Sequence, residues 1–387
     1  MKRLLGVLAA LLLLAPTALA QTARETTADC TLTSVGKKRL GNMTDGSYRT
    51  YWASSSNDYA YVDIESEEAV GGLYVQFYED IAALEVQVKD DTGAWRTAAT
   101  SGGEFLSAYI ALDAGAKAVR IRPKDGRGRL FIAELHVFGE GDAPDWVQRW
   151  EAPLDKADLL ALAAHPDDEI LFLGGTIPYY AGERGKKVQV AYLVPTMPYR
   201  RLELLDGLWL CGVRNYPIIG HFPDKYQLTL KGMYAQKGWS RESVYRFVAE
   251  AYRACRPDVV VTQDVNGEYG HGAHRAAADA AQAAIALAAD ETCQEKMTHS
   301  EPWQVKKLYI HLYEQNPVKM DWREPLAAFG GQTAFDIACR AFECHVSQQR
   351  TDYHVEDFGP YDNSRFGLAY SAVGGDVEKD DFFENLE

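Results

Sequence analysis

The stretch Leu159-Leu160-Ala161-Leu162-Ala163-Ala164-His165-Pro166-Asp167-Asp168-Glu169 decides the fold of most of this chain. Its apolar opening has no polar interruption and reads as a strand buried on both faces, as in parallel sheets. The strand runs straight into a polar cluster. Pro166 suits a first helical position, because its φ is preset and no amide donor is lost. Acidic residues in a first turn are favoured by the helix dipole. Downstream, residues 188–194, 259–262 and 308–312 are further buried-strand candidates. Helices are expected at 168–181, 202–211, 241–254 and in the Ala-rich run 273–289. Such alternation predicts an α/β architecture, a parallel sheet with helices on both faces and its ligands at the carboxyl ends of the strands.

Two stretches on this scaffold carry chemistry. His165 and Asp168 are three residues apart at a strand end, so both can turn toward one point. Imidazole nitrogen and carboxylate oxygen are ordinary zinc ligands. Gly270-His271-Gly272-Ala273-His274 follows residues 259–262 and opens the Ala-rich helix. Its histidines share a helix face, and a helix N-terminus disfavours imidazolium, which keeps His274 a neutral ligand. Alone, each motif fits a bland role, an acidic helix start or a surface histidine pair. Together, at two strand-to-helix junctions of one sheet, they predict a divalent-metal site. Zinc suits the donors, although iron or cobalt could occupy the same ligands.

Upstream the rhythm differs. Residues 59–64, 72–78, 84–89, 108–112, 118–122 and 130–138 are short runs rich in β-branched and aromatic residues. Turn signals such as Gly71-Gly72, Asp91-Thr92-Gly93 and Asp125-Gly126 separate them. The pattern predicts a β-sandwich over residues 30–140, a linker over 141–153 and the α/β domain over 154–387. Trp52, Tyr59 and Trp95 are candidates for stacking on sugar rings, with Trp52 also suited to the core.

Residues 1–20 read as a secretory signal peptide, with Lys2 and Arg3 ahead of an apolar run and Ala18-Leu19-Ala20 at its end. The apolar run is too short to span a bilayer, and no later one qualifies. The expectation is export, to the periplasm or outside, after cleavage near Ala20. With 40 Lys+Arg against 55 Asp+Glu, the net charge of −15 repels phosphate backbones. Nucleic acid is therefore a poor partner and a neutral glycan a better one. The six cysteines show no CxxC zinc pattern, and Cys339 and Cys344 could pair or stay free. The acidic tail 376–387 could be solvated or docked through Phe382-Phe383. Oligomeric state is not legible.

The two chemical motifs, Ala164–Glu169 and Gly270–His274, resemble the paired signatures of the PIG-L/LmbE-like de-N-acetylase family, and the resemblance covers residues 154–387. It implies a Rossmann-like domain and a zinc-dependent hydrolase that removes acetyl from an N-acetylhexosamine in a glycan or glycoconjugate. Carried over by position, it implies zinc on His165, Asp168 and His274, with Asp167 as general base toward water. His271 would stabilise the oxyanion or protonate the leaving amine. Arg200, in Arg200-Arg201-Leu202-Glu203, and Asp224 align with positions that touch sugar hydroxyls; Arg200 fits an ion pair within a helix turn equally well. The loop Pro195-Thr196-Met197-Pro198-Tyr199 departs from the family pattern, so substrate identity is not inherited.

Leu40–Trp52 and Ile132–Gly139 resemble a discoidin-like (coagulation factor type C) domain of the galactose-binding-like jelly-roll fold. That resemblance implies a carbohydrate-binding module with a structural calcium at Asp45 and Glu134. Ordinary turn and strand roles fit both residues too. Two alternatives stand beside the deacetylase reading. One is a glycan-binding or adhesion protein that has lost catalysis, which the presence of all five chemical positions disfavours. The other is a metal amidase acting on a different amide.

Overall fold

The computed structural model describes residues 21–35, 39–55, 59–79, 81–292, 297–299, 301–349 and 352–386. The expected signal segment, residues 1–20, and Cys293 lie outside them. Seven antiparallel strands build the first unit: β1 (Thr31–Ser34), β2 (Trp52–Ala53), β3 (Val62–Phe77), β4 (Leu84–Lys89), β5 (Trp95–Thr100), β6 (Ser107–Pro123) and β7 (Phe131–Phe138). Their order is β2-β7-β3-β6-β4-β5, with β1 on β3. This is the β-rich, jelly-roll-type domain expected from the sequence.

Two pairs of expected strands prove to be single long ones. Residues 59–64 and 72–78 fall largely within β3, and 108–112 and 118–122 within β6. Gly71-Gly72 is not a turn. A Cβ at Gly71 would stand 2.5 Å from the Gly139 carbonyl oxygen, and one at Gly72 2.4 Å from the Tyr109 hydroxyl. The glycines admit close neighbours instead of reversing the chain. Register shifts near Val70 mark the irregularity that lets β3 and β6 bend together. β5 escaped the sequence reading because it is an edge strand with mostly exposed side chains.

Residues 141–153 pack instead of spanning. Val147 is fully buried, and the Trp150 ring meets Trp209 at 5.4 Å and Tyr216 at 5.8 Å. At the other end, the Ala23 and Thr26 amides donate to the carbonyls of Asp142 and Val137, so residues before 30 join the first unit.

The second unit contains β8 (Leu159–Ala163), β9 (Val188–Tyr192), β10 (Ile218–Ile219), β11 (Val259–Thr262), β12 (Lys307–His311), β13 (Pro317–Lys319) and β14 (Arg365–Ser371). The sheet order is β10-β9-β8-β11-β12-β14-β13. β8 to β12 are parallel; β14 is antiparallel to both β12 and β13. The sheet is thus mixed at one edge, where the sequence predicted only parallel strands. Its helices are α1 (Asp168–Leu171), α2 (Pro198–Leu210), α3 (Leu230–Tyr234), α4 (Arg241–Cys255), α5 (Gly272–Ala289) and α6 (Ala334–Glu343).

Strand alternation separates the two faces. Leu159, Ala161 and Ala163 share a cluster with Leu204 and Leu208 of α2 and Ile337 of α6. Leu160 and Leu162 share the other with Val244 and Val248 of α4 and Ala277 and Ala281 of α5. The expected helix 168–181 is interrupted after Leu171 and resumes as a π-type helical turn over Pro178–Glu183. Gly174 turns the chain at φ +54°, with Asn363 where a Cβ would sit, and Pro178 lacks an amide donor.

The acidic tail docks. Phe382 is fully buried, with the rings of Tyr180, Tyr309 and Phe366 at 5.5, 4.5 and 5.0 Å. The buried ammonium of Lys307 pairs with Asp376 and donates to the Glu384 carbonyl at 2.8 Å. Phe382→Ala is expected to cost about 3–5 kcal/mol, the usual range for deleting a buried aromatic, measured by denaturant unfolding. A loss below 1 kcal/mol would mean that the tail is only loosely held. The described cysteines, including Cys339 and Cys344, are free thiols.

Candidate functional site

Adjacent parallel strands bring the two motifs to one rim. β8 and β11 pair in register; β8 runs straight into its motif, and β11 ends at Thr262, ahead of the loop that leads to Gly270. Gln263, just past β11, fastens them, its side-chain oxygen accepting the Ala164 amide at 2.7 Å.

Asp168 lies at the centre. One of its carboxylate oxygens accepts the His165 amide at 2.7 Å and stands 3.0 Å from His165 Nδ1 and 3.3 Å from His274 Nε2. Burial alone would raise this carboxyl; the imidazoles of His274 and His165 outweigh it and hold the group well below the usual range. Ligand atoms held about 2.0–2.1 Å from one ion at tetrahedral angles lie roughly 3.4 Å apart. The spacing and chemistry of these donors fit a divalent ion such as zinc. Ring nitrogens of His165, His271 and His274 also lie within 4.8 Å of one another.

The remaining motif residues surround these donors. Asp167 is buried and adopts φ +115°, ψ −30°, a strained backbone for a non-glycine residue. Its amide donates to Glu169 Oε2 at 2.9 Å, and its carboxylate accepts from Arg200 at 2.9 Å. Burial raises its affinity for a proton, against the opposing pull of Arg200. His271 caps α5, its Nδ1 accepting the Ala273 amide at 3.2 Å. With Nδ1 accepting, the neutral ring carries its proton on Nε2. Burial and the neighbouring His165 and His274 push its pKa down to about 3, so it stays neutral.

The ion pair within a helix turn that was open to Arg200 does not form. Its guanidinium donates to the Pro166 carbonyl at 2.6 Å and to Asp167, not to Glu203. Glu203 instead accepts from the Ser347 amide and hydroxyl. Asp224 stands at the mouth, its side chain 55% exposed and 3.9 Å from His165 Nε2. Tyr226, also exposed, sets its ring 5.4 Å from that of His271.

Glu268 and His311 were not singled out from the sequence. The Glu268 carboxylate is fully buried and bridges His274 Nδ1 at 2.8 Å and His311 Nδ1 at 2.6 Å. Burial would raise its pKa, but the two imidazoles bring it down to about 2. Such a carboxylate fixes the tautomer of a ligating imidazole and leaves Nε2 free to bind. The available signal was positional, since His311 ends the strand beside β11 and so shares its rim.

In the first unit, Asp45 and Glu134 do come together. The Ser47 amide donates to both, at 3.0 and 2.9 Å, and Thr50 donates to Asp45. Burial pushes Glu134 up to about 7. Trp52 is core, Tyr59 is exposed, and Trp95 lies under the Lys89 and Arg120 cations.

Comparison with known proteins adds independent findings. A 1D-myo-inositol 2-acetamido-2-deoxy-alpha-D-glucopyranoside deacetylase of Streptomyces scabiei is 30% identical over 196 residues, which is 43% of this chain and 60% of that protein. Its Rhodococcus jostii namesake is 31% identical over 187 residues, 42% of this chain and 63% of that one. The chain thus spans about 60% of the length of these curated relatives. Among solved structures, an N,N'-diacetylchitobiose deacetylase from Pyrococcus horikoshii covers 53% of this chain and 75% of its own, at 17% identity and TM-score 0.35. An F5/8 type C domain from Bacteroides fragilis covers 31% and 96%, at 15% identity and TM-score 0.25. Residues 160–285, which hold both motifs, match the family model described as PIG-L, GlcNAc-PI de-N-acetylase, and so form a PIG-L domain.

Proposed function

We propose that this chain is an exported, zinc-dependent hydrolase that removes the N-acetyl group from an N-acetylhexosamine, of the N-acetylglucosamine or N-acetylgalactosamine type, in a glycan or glycoconjugate. The observation that carries this reading is the Asp168 carboxylate set between His165 and His274, with Asp167 and His271 beside it. The names of the curated relatives, deacetylases of an acetamido sugar, support the same reaction class. The apolar run ahead of Ala20 supports export, and no helix among the described residues is long and apolar enough to cross a membrane.

His165, Asp168 and His274 would hold the ion. The chemistry it supplies in such a site is Lewis acidity toward the acetyl oxygen and a lowered pKa for water. Asp167 takes the proton of the attacking water, and Arg200 keeps that carboxylate aimed. His271 Nε2–H donates to the carbonyl oxygen as negative charge gathers there. When the carbon–nitrogen bond breaks, the proton held by Asp167 passes to the amine, giving acetate and the free amino sugar. Asp224 and Tyr226 at the mouth would meet the sugar ring.

The test is acetate release from a panel of N-acetylhexosamine oligosaccharides, with and without a chelator. We expect turnover that chelation abolishes and added zinc restores. Acetate from none of them, or turnover indifferent to chelation, would refute the reading.

A further inference from the structure

Asp167 keeps an unfavourable backbone, and part of what restrains it lies outside both motifs. A φ of +115° on a non-glycine residue persists only where surrounding contacts over-determine it. The Asp167 carboxylate is tied to Arg200, and its amide to Glu169 Oε2. Glu169 is fully buried, and a buried carboxylate needs a partner for its charge. His345 supplies one. Its Nε2 stands 3.7 Å from Glu169 Oε1, an ion-pair distance, and the ring is fully buried as well. Burial opposes a charge on this imidazole, but Glu169 outweighs it and raises the pKa. Tyr192, the last residue of β9, brings its hydroxyl to bear on the same carboxylate.

Helix α2 seats this distant imidazole. His345 lies just past α6, its amide donating to the Phe342 carbonyl at 2.9 Å. Gly207 of α2 makes room for the ring, since a Cβ there would stand 3.4 Å from His345 Nε2 and 3.2 Å from the Ala341 carbonyl oxygen. Glu203 of the same helix accepts from the Ser347 amide and hydroxyl at 2.9 and 2.6 Å. One helix thus anchors His345 behind Glu169 and, through Arg200, the Asp167 carboxylate in front. Stability does not call for such a pair, because exchanging a buried ion pair for apolar residues of similar volume is often neutral or stabilising. We propose that His345 is a positioning residue for the general base, holding Glu169 so that Glu169 holds Asp167 on its strained backbone. The inference rests on the deacetylase reading above and deepens it.

Three variants separate positioning from packing. In His345→Gln the amide nitrogen falls near the place of Nε2. The His345→Asn side chain is one methylene too short to reach Glu169, and His345→Leu fills the space without a donor. In the zinc-loaded full chain, His345→Asn and His345→Leu should lower kcat for acetate release about 10²-fold, the order expected when a reacting group shifts by about 1 Å. KM and zinc content should stay level, and His345→Gln should keep most of the kcat. A packing role would move the unfolding midpoint and leave kcat per bound zinc alone. Either short variant decides the matter if the other does not fold. Unchanged kcat per zinc in that variant, or an equal loss in His345→Gln, would overturn the proposal. Acetate release by the unsubstituted chain is the control that keeps the two readings apart. Without it, the deacetylase reading fails first and takes this inference with it.

Discussion

Asp167→Asn is expected to lower kcat for acetate release by about 10²–10⁴-fold, the usual contribution of a general base, with zinc content unchanged. The substitution isolates the proton-accepting function. Asparagine is among the few residues that tolerate positive φ, so the +115° backbone survives. Its amide oxygen can still accept from Arg200, and the Glu169 carboxylate still receives the residue 167 amide. His165, Asp168 and His274 are untouched. What disappears is a carboxylate that can take a proton from water. Rate measurement paired with elemental analysis decides the matter, because a near-normal kcat would strip Asp167 of the role.

His274→Ala should abolish both activity and metal binding. In the proposed site the imidazole would supply one of three ligand atoms, and its loss leaves the buried Glu268 carboxylate with His311 as its remaining imidazole partner. Breaking a buried charged network by removing one partner typically costs about 3–5 kcal/mol, so a lower unfolding midpoint should accompany the zinc loss. Glu268→Gln separates support from ligation. It leaves all three donors in place and should weaken zinc affinity about 10–100-fold, the usual effect of losing such a partner. Full zinc occupancy in His274→Ala would exclude that imidazole as a ligand. Unchanged affinity in Glu268→Gln would reduce the carboxylate to a packing role.

Much of this was readable before any coordinates, for identifiable reasons. β8 and β11 match their predicted bounds because uninterrupted apolar runs with sharp polar ends leave no other local solution. The motif residues followed, since a parallel sheet delivers every strand end to one rim. The lengths of β3 and β6 were hidden because Gly71-Gly72 reads locally as a turn, while the reason for those glycines, Gly139 and Tyr109, is distant in sequence. Glu268 and His311 were hidden for a related reason. Their partnership spans 43 positions and depends on which strand lies beside β11. The contact of Arg200 with the Pro166 carbonyl was hidden because helical spacing offered Glu203 as a partner, whereas Pro166 lies 34 positions away.

Helix α2 bears on both halves of the molecule. Arg200 in its first turn steers the candidate base, and six residues on Asp206 is gripped by Tyr48 and Gln148 from across the boundary. The Arg49 guanidinium also lies over the Tyr199 ring, one residue from Arg200. The β-rich unit therefore acts as a splint on the very rod that holds the Asp167 carboxylate through Arg200. Cutting the chain at residue 154 to obtain a minimal enzyme would loosen that rod, and the isolated fragment would be a poor stand-in for the whole.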